Sequence, residues 1–249
     1  MSKSRSDPTL QMAGCSVSAL SAGTACALPS QSGISDFILP EDYLKGAPRR
    51  DLTLPDGGRK LVLHCCCAPC STAVIECLLQ CGLTPLVFFY NPNIYPHEEY
   101  ETRRLELWHL CKLLNLECVN GDYEQERWQR EVAAGLELEG ERGQRCLKCF
   151  TLRLDMTAVF TLKRGLKVFT TTLATSRWKS KAQVDTAGLA AQQHHPGVTY
   201  WDLDWRKGGL VERRYALVKS IGFYNQRYCG CAPSLKSAQP AAKQASGPS

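Results

Sequence analysis

The chain has 249 residues, a formal net charge of +6, and 44% hydrophobic against 22% charged residues, the balance of a globular fold in water. A chain of that length builds a core without covalent staples, so its 14 cysteines are not there to hold a miniature scaffold together. No stretch approaches the ~20 apolar residues of a membrane span, and Met1 to Ser35 lacks the apolar block of a secretory signal, so the reading is a cytoplasmic protein in a reducing compartment.

Taken in chain order, residues 1–50 are rich in Ser, Gly, Ala and Pro without any sustained period, and are expected to form a disordered N-terminal extension. Lys60 to His64 (KLVLH) reads as a buried strand, and Ser71 to Cys81 as a helix with Val74, Cys77, Leu78 and Cys81 at helical spacing. Leu86 to Tyr90 (LVFFY) is a second strand, closed by the turn residues of Asn91 to Pro96. Glu98 to Leu114 predicts a helix and Leu116 to Val119 a short strand. After a polar, glycine-broken segment come a helix over Cys146 to Lys163, a strand over Leu166 to Thr172, a helix over Lys179 to Gln193 and a strand over Val198 to Leu203. This alternation predicts an α/β fold, a mostly parallel sheet with helices on both faces, spanning a domain of residues 51–234 and followed by a disordered tail, 235–249.

The cysteines carry the chemistry. His64-Cys65-Cys66-Cys67-Ala68-Pro69-Cys70 follows the first strand directly, at the carboxyl edge where open α/β sheets bind ligands. Cys146-Leu147-Lys148-Cys149 lies at a second helix start, and Cys229-Gly230-Cys231 in a late loop. Helix N-termini favour thiolate, the metal-binding form, which points to Cys70. With Cys65 set aside, seven thiols remain: Cys66, Cys67, Cys70, Cys146, Cys149, Cys229 and Cys231. One four-cysteine site, whether zinc or [4Fe–4S], leaves a surplus that implies a second metal or a redox pair. Cys77, Cys81, Cys111 and Cys118 fall at core positions. A nucleotide-cleaving phosphate loop would need glycines or hydroxyls where this turn holds cysteines and a proline, which argues against an ATP-dependent tRNA-thiolating enzyme. The cysteine pattern is also compatible with a non-catalytic zinc protein that binds RNA and with a thiol–disulfide oxidoreductase.

HCCCAPCS at His64 to Ser71, FYNPNIYPHEEYETRR at Phe89 to Arg104 and RCLKCFTLRLDMTA at Arg145 to Ala158 resemble the QueH-type epoxyqueuosine reductases. So do TTTLATSRWKSKAQV at Thr170 to Val184, DWRKGG at Asp204 to Gly209 and FYNQRYCGCAPS at Phe223 to Ser234. The resemblance implies a Rossmann-like, adenine-nucleotide-hydrolase-like sheet and a cobalamin-independent reduction of epoxyqueuosine in tRNA to queuosine. It further implies a [4Fe–4S] cluster beside a second metal ion, taken as iron, held by cysteine and aspartate. Asp204 is the aspartate offered, with Asp155 and Asp202 as rivals, and an external electron donor is required. The chain departs from the family's usual Ser-Pro-aromatic-Lys in reading Ser176-Arg177-Trp178-Lys179. His64, Tyr228 or water is expected to supply protons, and Arg153, Trp178, Lys179, Arg206 and Lys207, with further basic residues such as Arg103 and Arg177, to bind tRNA.

Overall fold

A computed structural model describes residues 37–49, 51–224 and 226–238. Five strands form one all-parallel sheet in the order β3-β2-β1-β4-β5. They are β1 (Lys60–His64), β2 (Thr84–Phe89), β3 (Cys118–Asn120), β4 (Val168–Thr171) and β5 (Thr199–Tyr200). The register pairs Val62 with Leu86 on one side and with Phe169 on the other. The strand order reverses between β1 and β4, so the crevice beyond His64 and Thr171 is the topological switch point, where ligands bind in folds of this kind.

Strand side chains alternate between two apolar layers. Leu61, Leu63, Val87 and Phe89 pack with Ile75 and Leu78 of α1 (Ala68–Gln80), Leu107 and Leu110 of α2 (His97–Leu113), and Leu217 and Ile221 from a late helix, Leu210–Ile221. Val62, Leu86, Phe88 and Phe169 pack on the opposite face with residues of two further helices. Before them in the chain, after β3, comes a short turn, α3 (Gln125–Trp128), which runs into a π-helical turn at Gln129–Ala133. The two covering helices are α4 (Gln144–Lys163), through Phe150, Leu154 and Ala158, and α5 (Lys181–His194), through Val184, Ala187 and Ala191. Each fully buried Leu, Val or Phe is worth about 1.5–3 kcal/mol, which is why strand and helix boundaries follow the apolar pattern so closely. The late helix Leu210–Ile221 is α6, and α7 (Ala232–Ala238) closes the described chain.

Three expectations need revision. The extension predicted over residues 1–50 is folded from Phe37 onward: Phe37, Tyr43 and Ala47 are buried, and the Tyr43 hydroxyl donates to Thr72 O at 2.9 Å. The remainder of that prediction lies outside the described residues. α6, whose Leu210, Leu217 and Ile221 form one buried stripe, was not anticipated. The tail expected from residue 235 begins inside α7.

Candidate metal centre

The chain leaves β1 at His64 and alternation carries on for one residue. Cys65 therefore turns into the layer with Leu61 and Leu63, while Cys66, Cys67 and Cys70 join the layer with Val62. Cys67 is extended (φ −178°) and stands immediately ahead of α1, with Pro69 in that helix's first turn. Asn91 fixes this bend by donating its Nδ2–H to Cys65 O at 2.9 Å. The Sγ atoms of Cys66, Cys67 and Cys70 all lie within 4.8 Å of one another and are buried. They form the one such group of cysteine, histidine or carboxylate ligands among the described residues. Cys66 and Cys67 are 3.8 Å apart, sulfur to sulfur.

The helix-dipole expectation for Cys70 is corrected by its neighbours. Hydrogen bonding with Cys67 and Cys70 holds Cys66 well below the ordinary thiol range despite burial, with Lys179 and Arg153 adding to the effect. Cys70, as donor to that thiolate, is pushed up to about 11, and burial raises Cys67. The ionisation of the trio is thus concentrated on Cys66, steadied by the two neighbouring sulfurs.

The other two cysteine pairs come to the same end of the sheet. Cys229 is an electrostatic neighbour of Cys146, Cys149 and Cys231. Burial raises Cys146 to about 11 and Cys231 to about 12, and also lifts Cys149. Lys179 links the groups: its ammonium interacts with Cys229, Cys66 and Cys70. Burial acts to discharge Lys179, yet those sulfurs outweigh it and hold its pKa above the ordinary lysine value.

Lys179 and Arg153 are corrected from tRNA contacts to buried cations. Lys179 is 5% exposed and Arg153 1%. Ser180 caps α5 by accepting the Gln183 N–H at 3.5 Å, which places Lys179 immediately before the cap. Arg153 donates through Nη2 to Asn91 Oδ1, while its buried Nε has no hydrogen-bond partner. Neither cation has a carboxylate within ion-pair distance among the described residues. Two buried positive charges without an acid are costly unless something anionic shares the space. The thiolates are the anions available. A centre of four thiolates around a cationic metal core is itself negative, so this donor set and its cations fit a metal–thiolate group.

His64 is corrected as well. It is wholly buried, and Nε2 faces the Tyr90 carbonyl at 3.1 Å, an acceptor only, so Nε2 carries the proton. Nδ1 then accepts from the Thr171 hydroxyl at 2.8 Å, whose oxygen in turn takes the Leu173 N–H at 3.1 Å. Burial, with Arg153 nearby, pushes the ring down to about 3, so it stays neutral and fully satisfied. It ties β1 to β4 through Thr171, and its one ring proton is engaged by the Tyr90 carbonyl. Tyr228 is engaged too, donating its hydroxyl proton to Tyr95 O.

Asp204 lies in the loop after β5, half-buried, and accepts the Arg206 N–H at 3.1 Å. Asp155 is taken by His195 at 2.9 Å, and Asp202 is exposed. Of the expected tRNA contacts, Lys207 is exposed, Arg206 and Trp178 are half-buried, and Arg177 lies over the Trp178 ring at 5.0 Å. Asn91 is the site residue that sequence reasoning missed. Its signal was the Asn-Pro-Asn turn, read as a strand terminator rather than as a brace.

Fold and site together define an α/β protein with a buried, cation-flanked cysteine centre at its switch point. A family model described as Epoxyqueuosine reductase QueH matches residues 61–237. A protein of that name from Acinetobacter baylyi is 43% identical over 189 residues, covering 76% of this chain and 86% of the relative. Another from Haemophilus influenzae is 43% identical over 188 residues, 76% of each chain. One from Thermotoga maritima is 34% identical over 178 residues, 70% of this chain and 90% of the relative. This chain belongs to the QueH family. No described helix is long and apolar enough to cross a membrane.

Proposed function

We propose that this protein is an oxidoreductase that reduces the epoxide of epoxyqueuosine in tRNA to the alkene of queuosine, using cysteine-held metal. The observation that carries the reading is the pair of buried, carboxylate-free cations, Lys179 and Arg153, facing a cluster of thiols in a chain of this family. The net reaction takes two electrons and two protons: both C–O bonds of the epoxide break, the oxygen leaves as water and a carbon–carbon double bond forms. An external donor supplies the electrons.

The donor set divides naturally. A tetrahedral ion with metal–sulfur bonds of about 2.3 Å has sulfur–sulfur edges of about 3.8 Å, and Cys66 and Cys67 stand 3.8 Å apart. Cys66, Cys67 and Cys70 therefore suit a single ion, for which Asp204 is the proposed additional ligand. Cys146, Cys149, Cys229 and Cys231 are left as the four thiols for a [4Fe–4S] cluster. Held by these residues, a cluster would supply electrons singly and an ion would supply Lewis acidity toward the epoxide oxygen. The chain itself buries Cys66, Cys67, Cys70, Cys149 and Cys231 and holds Lys179 and Arg153 as fixed positive charge beside the trio. With His64 and Tyr228 both engaged, the protons come from water or from the substrate side.

For the RNA, the exposed Arg177 over the half-buried Trp178 forms a stacking lip, steadied by Arg142, which donates to Arg177 O at 2.8 Å. Lys207 and Arg206 supply phosphate contacts from the chain's other basic loop. An unpaired anticodon base stacks on such a platform far better than a paired one.

Anaerobic turnover of epoxyqueuosine-containing tRNA with a strong reductant, read by nucleoside mass spectrometry, tests the assignment. Conversion to queuosine by the iron-loaded chain and none by Cys66→Ala is the expected result. A colourless, zinc-loaded protein without turnover would support an RNA-binding zinc protein instead.

A further inference from the structure

The last cysteine pair is carried on a strap, residues 223–231, that has no regular secondary structure among its described residues. Its sulfurs can reach the centre only if something fixes the backbone. α2 presents a buried ionic row to this strap: Glu99, Arg103 and Glu106, at 9%, 1% and 4% exposure. Arg103 pairs with Glu99 at 2.6 Å, and its guanidinium then turns outward to the strap. Nη1 donates to Cys229 O at 3.1 Å and Nη2 to Tyr228 O at 3.3 Å. Glu99 also accepts the Tyr224 hydroxyl proton at 2.7 Å, and Glu106 accepts the Tyr224 N–H at 2.6 Å.

The strap is shaped to receive this fork. Gly230 has φ +130°, a conformation that side chains avoid, and a Cβ there would stand 3.0 Å from Arg103 Nη1. Tyr95 N–H donates to Gly230 O at 2.8 Å, closing the other edge. On its inner side Arg103 interacts with Cys67 and Cys66, which together with Glu99 keep it charged against the pull of burial.

We propose that Arg103 is a positioning residue that joins the third cysteine pair to the first: it holds the Cys229 backbone at the metal centre through two carbonyl hydrogen bonds while its charge faces Cys66 and Cys67. The role rests on Cys229 serving as a ligand, as proposed above. Only a planar fork can hold both carbonyls and Glu99 at once, so lysine is not an adequate replacement.

The test uses the full chain in two forms. In the metal-free protein, Arg103→Lys and Gly230→Ala speed alkylation of Cys229 by iodoacetamide, followed by mass spectrometry, while the buried core thiol Cys77 stays as slow as in wild type. In the iron- and sulfide-reconstituted protein, both variants lose iron to a chelator at about 10–100-fold lower chelator concentration, as loss of an outer-shell support does. Tyr224→Phe, which removes a strap contact without touching the Cys229 carbonyl, leaves both readouts near wild type. Gly230→Ala keeps the Arg103 side chain and carries the test if Arg103→Lys does not fold. Unchanged Cys229 alkylation in a folded variant overturns the proposal, as does a Cys77 rate that rises in parallel, which would mean general loosening. A wild-type chain that binds no iron would instead sink the metal reading, and the alkylation arm would still decide the role of Arg103.

Discussion

Two of the ionic sites among the described residues lie on elements that flank the same sheet, and they solve the same problem in opposite ways. Where α6 meets α1, Arg213 is matched by acids: Glu76, wholly buried, at 2.6 Å and Asp42 at 2.6 Å. Where β1 and β4 end, Arg153 and Lys179 are as deeply buried and, among the described residues, have no acid within ion-pair distance, only sulfur. The first arrangement is complete within the chain and pins residues 42–44 to the domain. The second is complete only when thiolates are present in number, so its balance depends on what the cysteines bind. A closed ion pair marks architecture, and the open one is where the proposed site is placed.

The contrast between the two sites is disrupted most severely at the sulfurs. Cys66→Ala removes the charge shared by the trio and is expected to reduce turnover and metal retention to background, checked by iron analysis and nucleoside mass spectrometry on the same preparation. Next comes the closed pair. Arg213→Met leaves Glu76 buried and unpaired, which should cost about 3–5 kcal/mol in urea unfolding while the metal-dependent absorption is unchanged. If that absorption vanishes in a folded variant, the two sites are not independent.

Glu106 exposes the difference through pH. Burial raises its carboxyl from 4.5 to about 7, with Glu99 adding and Arg103 and the Tyr224 N–H opposing. The folded state therefore holds a proton that the unfolded chain releases. Its stabilising contribution is full below pH 4.5 and is lost as pH rises through 7. Glu106→Gln abolishes that loss, so relative to wild type the variant should gain about 1–3 kcal/mol between pH 4.5 and 8 in paired urea titrations. A constant difference across that range would show that Glu106 ionises normally. The smallest effect is expected at the surface. Trp178→Ala should weaken tRNA binding by about 1–3 kcal/mol without altering iron content, and Lys207→Ala should mainly flatten the salt dependence.

What could be read in advance follows from what each residue advertises. β1 was legible at its observed limits and most other elements to within a few residues, because alternating apolar runs and helical stripes respond to a single bulk property, burial against a sheet. The cysteine groups were legible because thiols at a strand's carboxyl edge have few other uses. α6 was not predicted: its buried stripe of Leu210, Leu217 and Ile221 is sparse and is interrupted by the charged Glu212, Arg213 and Arg214. Phe37 and Tyr43 were lost in a low-complexity stretch, their burial depending on α1, α2 and α6 rather than on neighbours in sequence. Arg103, Arg153 and Lys179 were read as surface charge for the same reason. A cation shows in the sequence, and the distant sulfur that draws it inside does not.

The central claim is that Lys179 and Arg153 are balanced by sulfur and not by carboxylate. In the metal-free chain the most readily ionised thiol of the trio, Cys66, faces two cations; every metal-bound cysteine is a thiolate, so a metal–thiolate centre adds negative charge beside them. Urea unfolding of Lys179→Met against wild type, measured on metal-free and iron-loaded protein, reads this directly. Opposite signs are predicted, the variant being the more stable without metal and the less stable with it. The same sign in both states would contradict the claim.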